Sequence, residues 1–133
     1  MVVVADRLTG TRGDNSWQLV TAAEHAVTTD GRCFTIAAAN GAMLRGTVVC
    51  PAGAKIETLA KELSHEINYH GGHQAVSFRR KIIRVHGSGQ FLVILTVRRG
   101  VGPEVKPAAD GHGAAVGGRT VRFDGKRLAV EGR

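Results

Sequence analysis

Three of this chain's four Asx-Gly dipeptides mark its strand rhythm: Asp30-Gly31, Asn40-Gly41 and Asp124-Gly125. Each lies between runs of apolar and β-branched residues. Such dipeptides supply the positive φ that tight hairpin loops demand. Residues 25–29, 32–39 and 42–50 therefore read as three strands of an antiparallel meander, which Pro51 closes. Residues 119–123 and 126–130 form a further hairpin around Asp124-Gly125. Residues 2–5 and 16–20 add two short strands, and the polar, Gly-punctuated stretch 6–15 joins them.

Downstream, residues 75–86 alternate: Val76, Phe78, Arg80, Ile82, Arg84 and His86 share one side of a strand, and Ser77, Arg79, Lys81, Ile83 and Val85 the other. Gly87-Ser88-Gly89 turns the chain into residues 90–98, its most β-prone segment. Residues 100–113, with two prolines and several glycines, read as a loop. One stretch breaks the strand rhythm. Ile56, Leu59, Ala60, Leu63 and Ile67 follow the spacing of one helical face, Lys55, Glu57, Lys61, Glu62 and Glu66 fall on the other, and Gly71-Gly72 is a natural stop. The spacing predicts a short helix over 55–69 within a mostly β, antiparallel sandwich formed by residues 1–133 as a single domain.

Composition agrees with that class. Of 133 residues, 43% are hydrophobic and 22% charged, which excludes a disordered tail and a coiled coil. Eighteen glycines and only 5% aromatics suit short strands and tight turns. The longest apolar run, residues 91–95, is far too short to span a bilayer, so no membrane partner is expected. Met1 leads directly into Val2-Val3-Val4 and Asp6-Arg7, with no signal-peptide pattern. Two cysteines, Cys33 and Cys50, provide no disulfide framework, and whether they pair is left open. The net charge of +7 is uneven, with a balance of −1 over residues 1–73 and +8 over residues 74–133. That asymmetry points to a polyanion as partner, or to a solvated basic face.

Three segments carry a family resemblance. Val2-Val3-Val4-Ala5-Asp6-Arg7-Leu8 resembles the apolar strand and Asp-Arg-Leu passage in the β-sandwich of heparinase II/III-like polysaccharide lyases. Ser16-Trp17-Gln18-Leu19-Val20 is similar to the Trp-x-Leu strand that follows it. The third segment runs from Phe91 to Arg99 and then from Gly118 to Gly125, and it is similar to the family's closing strands in order and spacing. The resemblance implies the last part of that sandwich, without the catalytic toroid and the metal-binding segments that would lie upstream of Val2. It also implies an acidic polysaccharide as ligand, a separate catalytic domain or chain as partner, and a periplasmic or secreted location. Where the family strand often continues with His after Trp, this chain has Gln18, Leu19 and Val20.

A β-elimination on a uronic acid needs a base, an acid and a group that neutralises the carboxylate. Tyr69 and His70 are the catalytic candidates, with Arg79 and Arg80 able to hold a carboxylate. His65 and His70 stand five residues apart, about 140° around a helix, which fails the zincin arrangement. His65, His70 and His73 are the metal-ligand candidates if a helix ends near Asn68. No cofactor fingerprint is present. Arg79, Arg80, Lys81 and Arg84, followed by Arg98 and Arg99, are the candidates for polyanion contact. Trp17 is a candidate for sugar stacking or for the core. Nucleic acid is the rival partner, because Arg80 and Arg84 share a strand face with Phe78; Phe91, flanked by Leu92 and Val93, is expected to point into the core. The expected function is an accessory, non-catalytic sandwich, structural or acidic-glycan-binding, with a stand-alone lyase and a nucleic-acid binder as alternatives.

Overall fold

The computed structural model describes residues 1–9, 15–69 and 72–132. Twelve strands are present and, among the described residues, no helix: β1 (Val2–Arg7), β2 (Asn15–Ala22), β3 (Ala26–Asp30), β4 (Cys33–Ala37), β5 (Met43–Cys50), β6 (Lys55–Tyr69), β7 (Gly72–Gly87), β8 (Gln90–Arg98), β9 (Val105–Pro107), β10 (Gly113–Val116), β11 (Arg119–Phe123) and β12 (Leu128–Glu131). They form three antiparallel sheets, in the orders β1-β8-β5-β4-β3, β2-β7-β6 and β12-β11-β10-β9.

The five-stranded sheet is the middle layer. Strand β8 explains why. Phe91, Val93 and Leu95 project to one side and pack with Phe34, Ile36, Val48, Ile83 and Val85, joining this sheet to β2-β7-β6. Leu92 and Ile94 project to the other side and pack with Val49, Ala114, Val116, Val121 and Phe123, joining it to the third sheet. A strand covered on both faces needs a continuous apolar run, which residues 91–95 supply. Phe91 is buried, as its flanking residues imply.

Close approach is paid for with glycine at one core position. Gly46 lies opposite Phe34 on β4, and a Cβ there would run into the Phe34 ring. Beside it, β5 carries an irregularity between Val48 and Cys50, which frees backbone carbonyls. The Arg32 guanidinium takes them up, donating from Nε to Val48 O at 3.0 Å and from Nη2 to Val49 O.

The Asx-Gly signals mark turns as expected. Between β3 and β4, Asp30 still pairs with Cys33, and Gly31 takes the first loop position with φ of 53°, as a type II′ turn requires. Asn40 and Asp124 cap longer loops: Asn40 Oδ1 accepts from Ala42 N, and Asp124 Oδ1 accepts from Lys126 N and Arg127 N.

The helix over 55–69 is not formed; those residues are strand β6, paired with β7 from Lys55↔His86 to Tyr69↔Gly72. Residues 50–57 offer no Ser, Thr, Asp or Asn to cap a helix start. β7 presents a long, alternating partner, and its pairing outweighs the modest helix preference of Lys, Glu, Leu and Ala. The loop over 100–113 is also corrected. It contains β9, a three-residue edge strand whose Val105 packs on the second core, and it runs into β10.

Candidate polyanion-binding face

In the three-stranded sheet, alternation divides β7 between two environments. Ile83 and Val85 face the middle layer with Trp17 and Ile56. Arg80, Ile82, Arg84 and His86 face away, opposite Lys61, Leu59, Glu57 and Lys55 of β6 respectively. On β2, Ala22, Val20, Gln18 and Ser16 complete the rows.

The two ends of this outer face differ electrostatically. At the β7 C-terminal end, Glu57 Oε2 lies 2.8 Å from His86 Nε2 and 3.9 Å from Arg84 Nη1. The His86 hydrogen bond, helped by the charges of His86, Arg84 and Lys55, holds the Glu57 carboxyl below its ordinary value against a smaller desolvation effect. Arg84 is thereby partly compensated, although its Nε is buried and lacks a partner among the described residues.

Beyond this, cations from both sides of the ribbon are uncompensated: Lys61 and Arg80 continue the outer rows, while Arg79 and Lys81 alternate to the side of Ile83 and Val85. β2 stops at Ala22, and the β6–β7 ribbon continues alone. A recess of about 400 Å3 opens there, lined by Lys61, Arg79, Arg80 and Lys81, with Glu62 as its one carboxylate, beside Ala23 and Ala60. Among the described residues none of the four cations is ion-paired. Lys81 is held by donating to His25 O at 2.7 Å. The Arg80 guanidinium lies 5.2 Å from the centroid of the Phe78 ring, which is 40% exposed. Cation–π contact and the Arg79 carbonyl, which accepts from Arg80 Nη1 at 3.2 Å, fix its direction.

Of the sequence candidates, Arg79, Arg80 and Lys81 thus line one recess. Arg84 stands two rows away on the compensated part of the face. Arg98 ends β8 in the middle sheet, Arg99 follows it, and neither joins the recess. Trp17 packs against the first core, its ring 6.3 Å from that of Phe34. Lys61 was not among the candidates, because a helical reading of 55–69 sends it to a solvent face; strand pairing sets it directly opposite Arg80.

His70 lies outside the described residues, and so do the side chains of His65, Tyr69 and His73, whose backbones sit near the tip of the β6–β7 ribbon. Among the described residues no group of three His, Cys, Asp or Glu converges as a metal site would. Cys33 and Cys50 are free thiols; burial raises that of Cys50, with the Arg32 charge opposing. A second recess, of about 450 Å3, is lined by Arg122, Asp124 and Arg127, and two of these three charges are already engaged. Arg122 donates to Asp110 at 2.6 Å, and Asp124 caps its turn.

No family model matches this chain, and no curated protein or solved structure matches it.

Proposed function

We propose that this chain is an accessory β-sandwich of the heparinase II/III-like lyase kind, binding an acidic polysaccharide through the recess at the start of the β6–β7 ribbon. One observation carries the reading: Lys61, Arg79, Arg80 and Lys81 line a single recess with one carboxylate among them. Guanidinium forks suit the carboxylates and sulfates of acidic glycans. Arg80 is already oriented by Phe78, so less side-chain freedom is lost when it binds. The module holds the glycan, and a separate catalytic domain or chain acts on it.

The test is retention of the purified chain on immobilised acidic glycans at near-physiological salt. Each exposed cation removed is expected to weaken binding by about 1 kcal/mol or less, so Arg79→Ala/Arg80→Ala loses roughly tenfold. Wild-type retention in that double variant would overturn the reading. The exposed Phe78 ring beside Arg80 favours one rival, single-stranded nucleic acid. Base stacking there would make Phe78→Ala cost about 1–3 kcal/mol for nucleic acid, whereas acidic-glycan retention should fall by less, through the lost orientation of Arg80 alone.

A further inference from the structure

A second basic cleft lies in another layer of the molecule. Arg45 on β5 pairs with Thr96 on β8, and Met43 pairs with Arg98, so Arg45 and Arg98 are diagonal neighbours across adjacent strands. Diagonal neighbours on one sheet face are within reach of each other's long side chains. They share the lining of a cleft of about 250 Å3 beside the edge strand β9, together with Thr47 and Glu104. Among the described residues neither arginine has a carboxylate within ion-pair distance. The one acid in the lining, Glu104, is exposed and lies 3.4 Å from Lys106 Nζ.

The loop after β8 folds back over Arg98. A Cβ on Gly102 would meet Arg98 Cδ at 2.6 Å, so glycine lets the chain pass this close without displacing the Arg98 side chain. The consequence is that Arg98 Nε is buried with no hydrogen-bond partner among the described residues. A buried guanidinium N–H without an acceptor is costly, and such groups in native structures call for a partner. Two arginines side by side also repel unless an anion lies between them. Thr47, 4% exposed, adds a hydroxyl on the same side, with Cys33 Sγ 3.6 Å from its Oγ1.

We propose that this cleft is a binding site for one oxyanion group, a sulfate, phosphate or carboxylate, held between Arg45 and Arg98. The site is separate from the β6–β7 recess and does not depend on it. The Arg98 and Arg45 guanidinium groups supply charge-assisted hydrogen bonds to the oxygens, and Thr47 a neutral one.

The experiment follows the Arg98 Nε–Hε signal by NMR in the full, 15N-labelled chain. It is titrated with sodium sulfate, phosphate or acetate, against sodium chloride of equal ionic strength. A saturable shift in the millimolar range with at least one oxyanion, absent with chloride, is expected, and the strongest of the three identifies the preferred group. Arg45→Ala should weaken it about tenfold, and Arg45→Lys less, because charge survives but the fork is lost. Glu104→Gln, a substitution at an exposed position that leaves the core untouched, should strengthen it severalfold. Either a drift matching that of chloride for all three oxyanions or an unchanged affinity in both Arg45→Ala and Glu104→Gln would overturn the proposal. The Arg79→Ala/Arg80→Ala variant should keep the full response while glycan retention falls. Loss of the response in that variant would place the anion at the recess and overturn the separate site, whereas unchanged glycan retention would count only against the recess.

Discussion

Asp124 shows how one side chain does two jobs in a turn. Its Oδ1 accepts from Lys126 N at 2.8 Å and from Arg127 N at 2.7 Å, and those bonds are the main reason its carboxyl sits below the ordinary value. Hydrogen bonds to the ionised form favour it, so a lowered folded value means stability that is fully present above the unfolded carboxylate range, about pH 4. That contribution is lost as the pH falls through the folded value. Asp124→Ala should therefore lower the urea midpoint at neutral pH, and the gap from wild type should narrow steadily on acidification. A gap of constant size down to about pH 2 would show that the ionised carboxylate contributes nothing there. The turn itself was legible in the sequence, since Asp-Gly between β-prone runs has few other readings. The fate of Trp17 was not. Both stacking on a sugar and packing in a core suit an indole, and only the position of Phe34 across the interlayer space places it in the first core.

At the scale of an element, β7 is two functional halves on one strand. Near its end, Ile83 and Val85 are fully buried, while near its middle Phe78 is 40% exposed and Arg79 and Arg80 line the recess. Stability and binding should separate accordingly. Ile83→Ala leaves a cavity in the first core and should cost about 2–5 kcal/mol in urea unfolding. Phe78→Ala should cost under about 1 kcal/mol, because the position is away from the core. Equal costs would mean that the free part of the ribbon is packed against something as firmly as the core. The alternation that makes this division was readable over residues 75–86, and from it the sharing of a face by Phe78, Arg80 and Arg84. Its partner β6 was not readable in the same way. Ile56, Leu59, Ala60 and Leu63 match a helical face, yet in the strand Ile56 and Ala60 fall on one side and Leu59 and Leu63 on the other. A ribbon that projects past its sheet has no strongly apolar face to enforce a two-residue period, so a 3.6-residue pattern can arise without a helix. The missed Lys61 follows directly from that ambiguity.

For the molecule as a whole, the decisive feature is that two cores share one strand. Sequence patterning revealed that residues 91–95 are apolar throughout, but not that the two sides of β8 serve different partner sheets. Hydrophobicity records burial and not the identity of the covering layer. Strand β9 and the cleft it shelters were hidden for a related reason: three residues around prolines and glycines acquire strand pairing only because β10 is there to receive them. Additional ties cross the layers, including Arg7 Nη1 donating to Gly125 O at 3.3 Å. The expectation of a single domain over residues 1–133 then becomes a measurement. Ile94 is fully buried in the second core, whereas Trp17, the one tryptophan, belongs to the first. Ile94→Ala should cost about 2–5 kcal/mol through the cavity it leaves. If β8 couples the layers, Trp17 fluorescence must report that loss although its own surroundings are untouched. Its urea transition should move to lower concentration together with the far-UV circular dichroism transition, and the two should coincide. Were the fluorescence midpoint to stay at its wild-type position while the dichroism shifted or split, the third sheet would be unfolding by itself. The middle layer would then be the boundary between two cooperative units and not the bond that joins them.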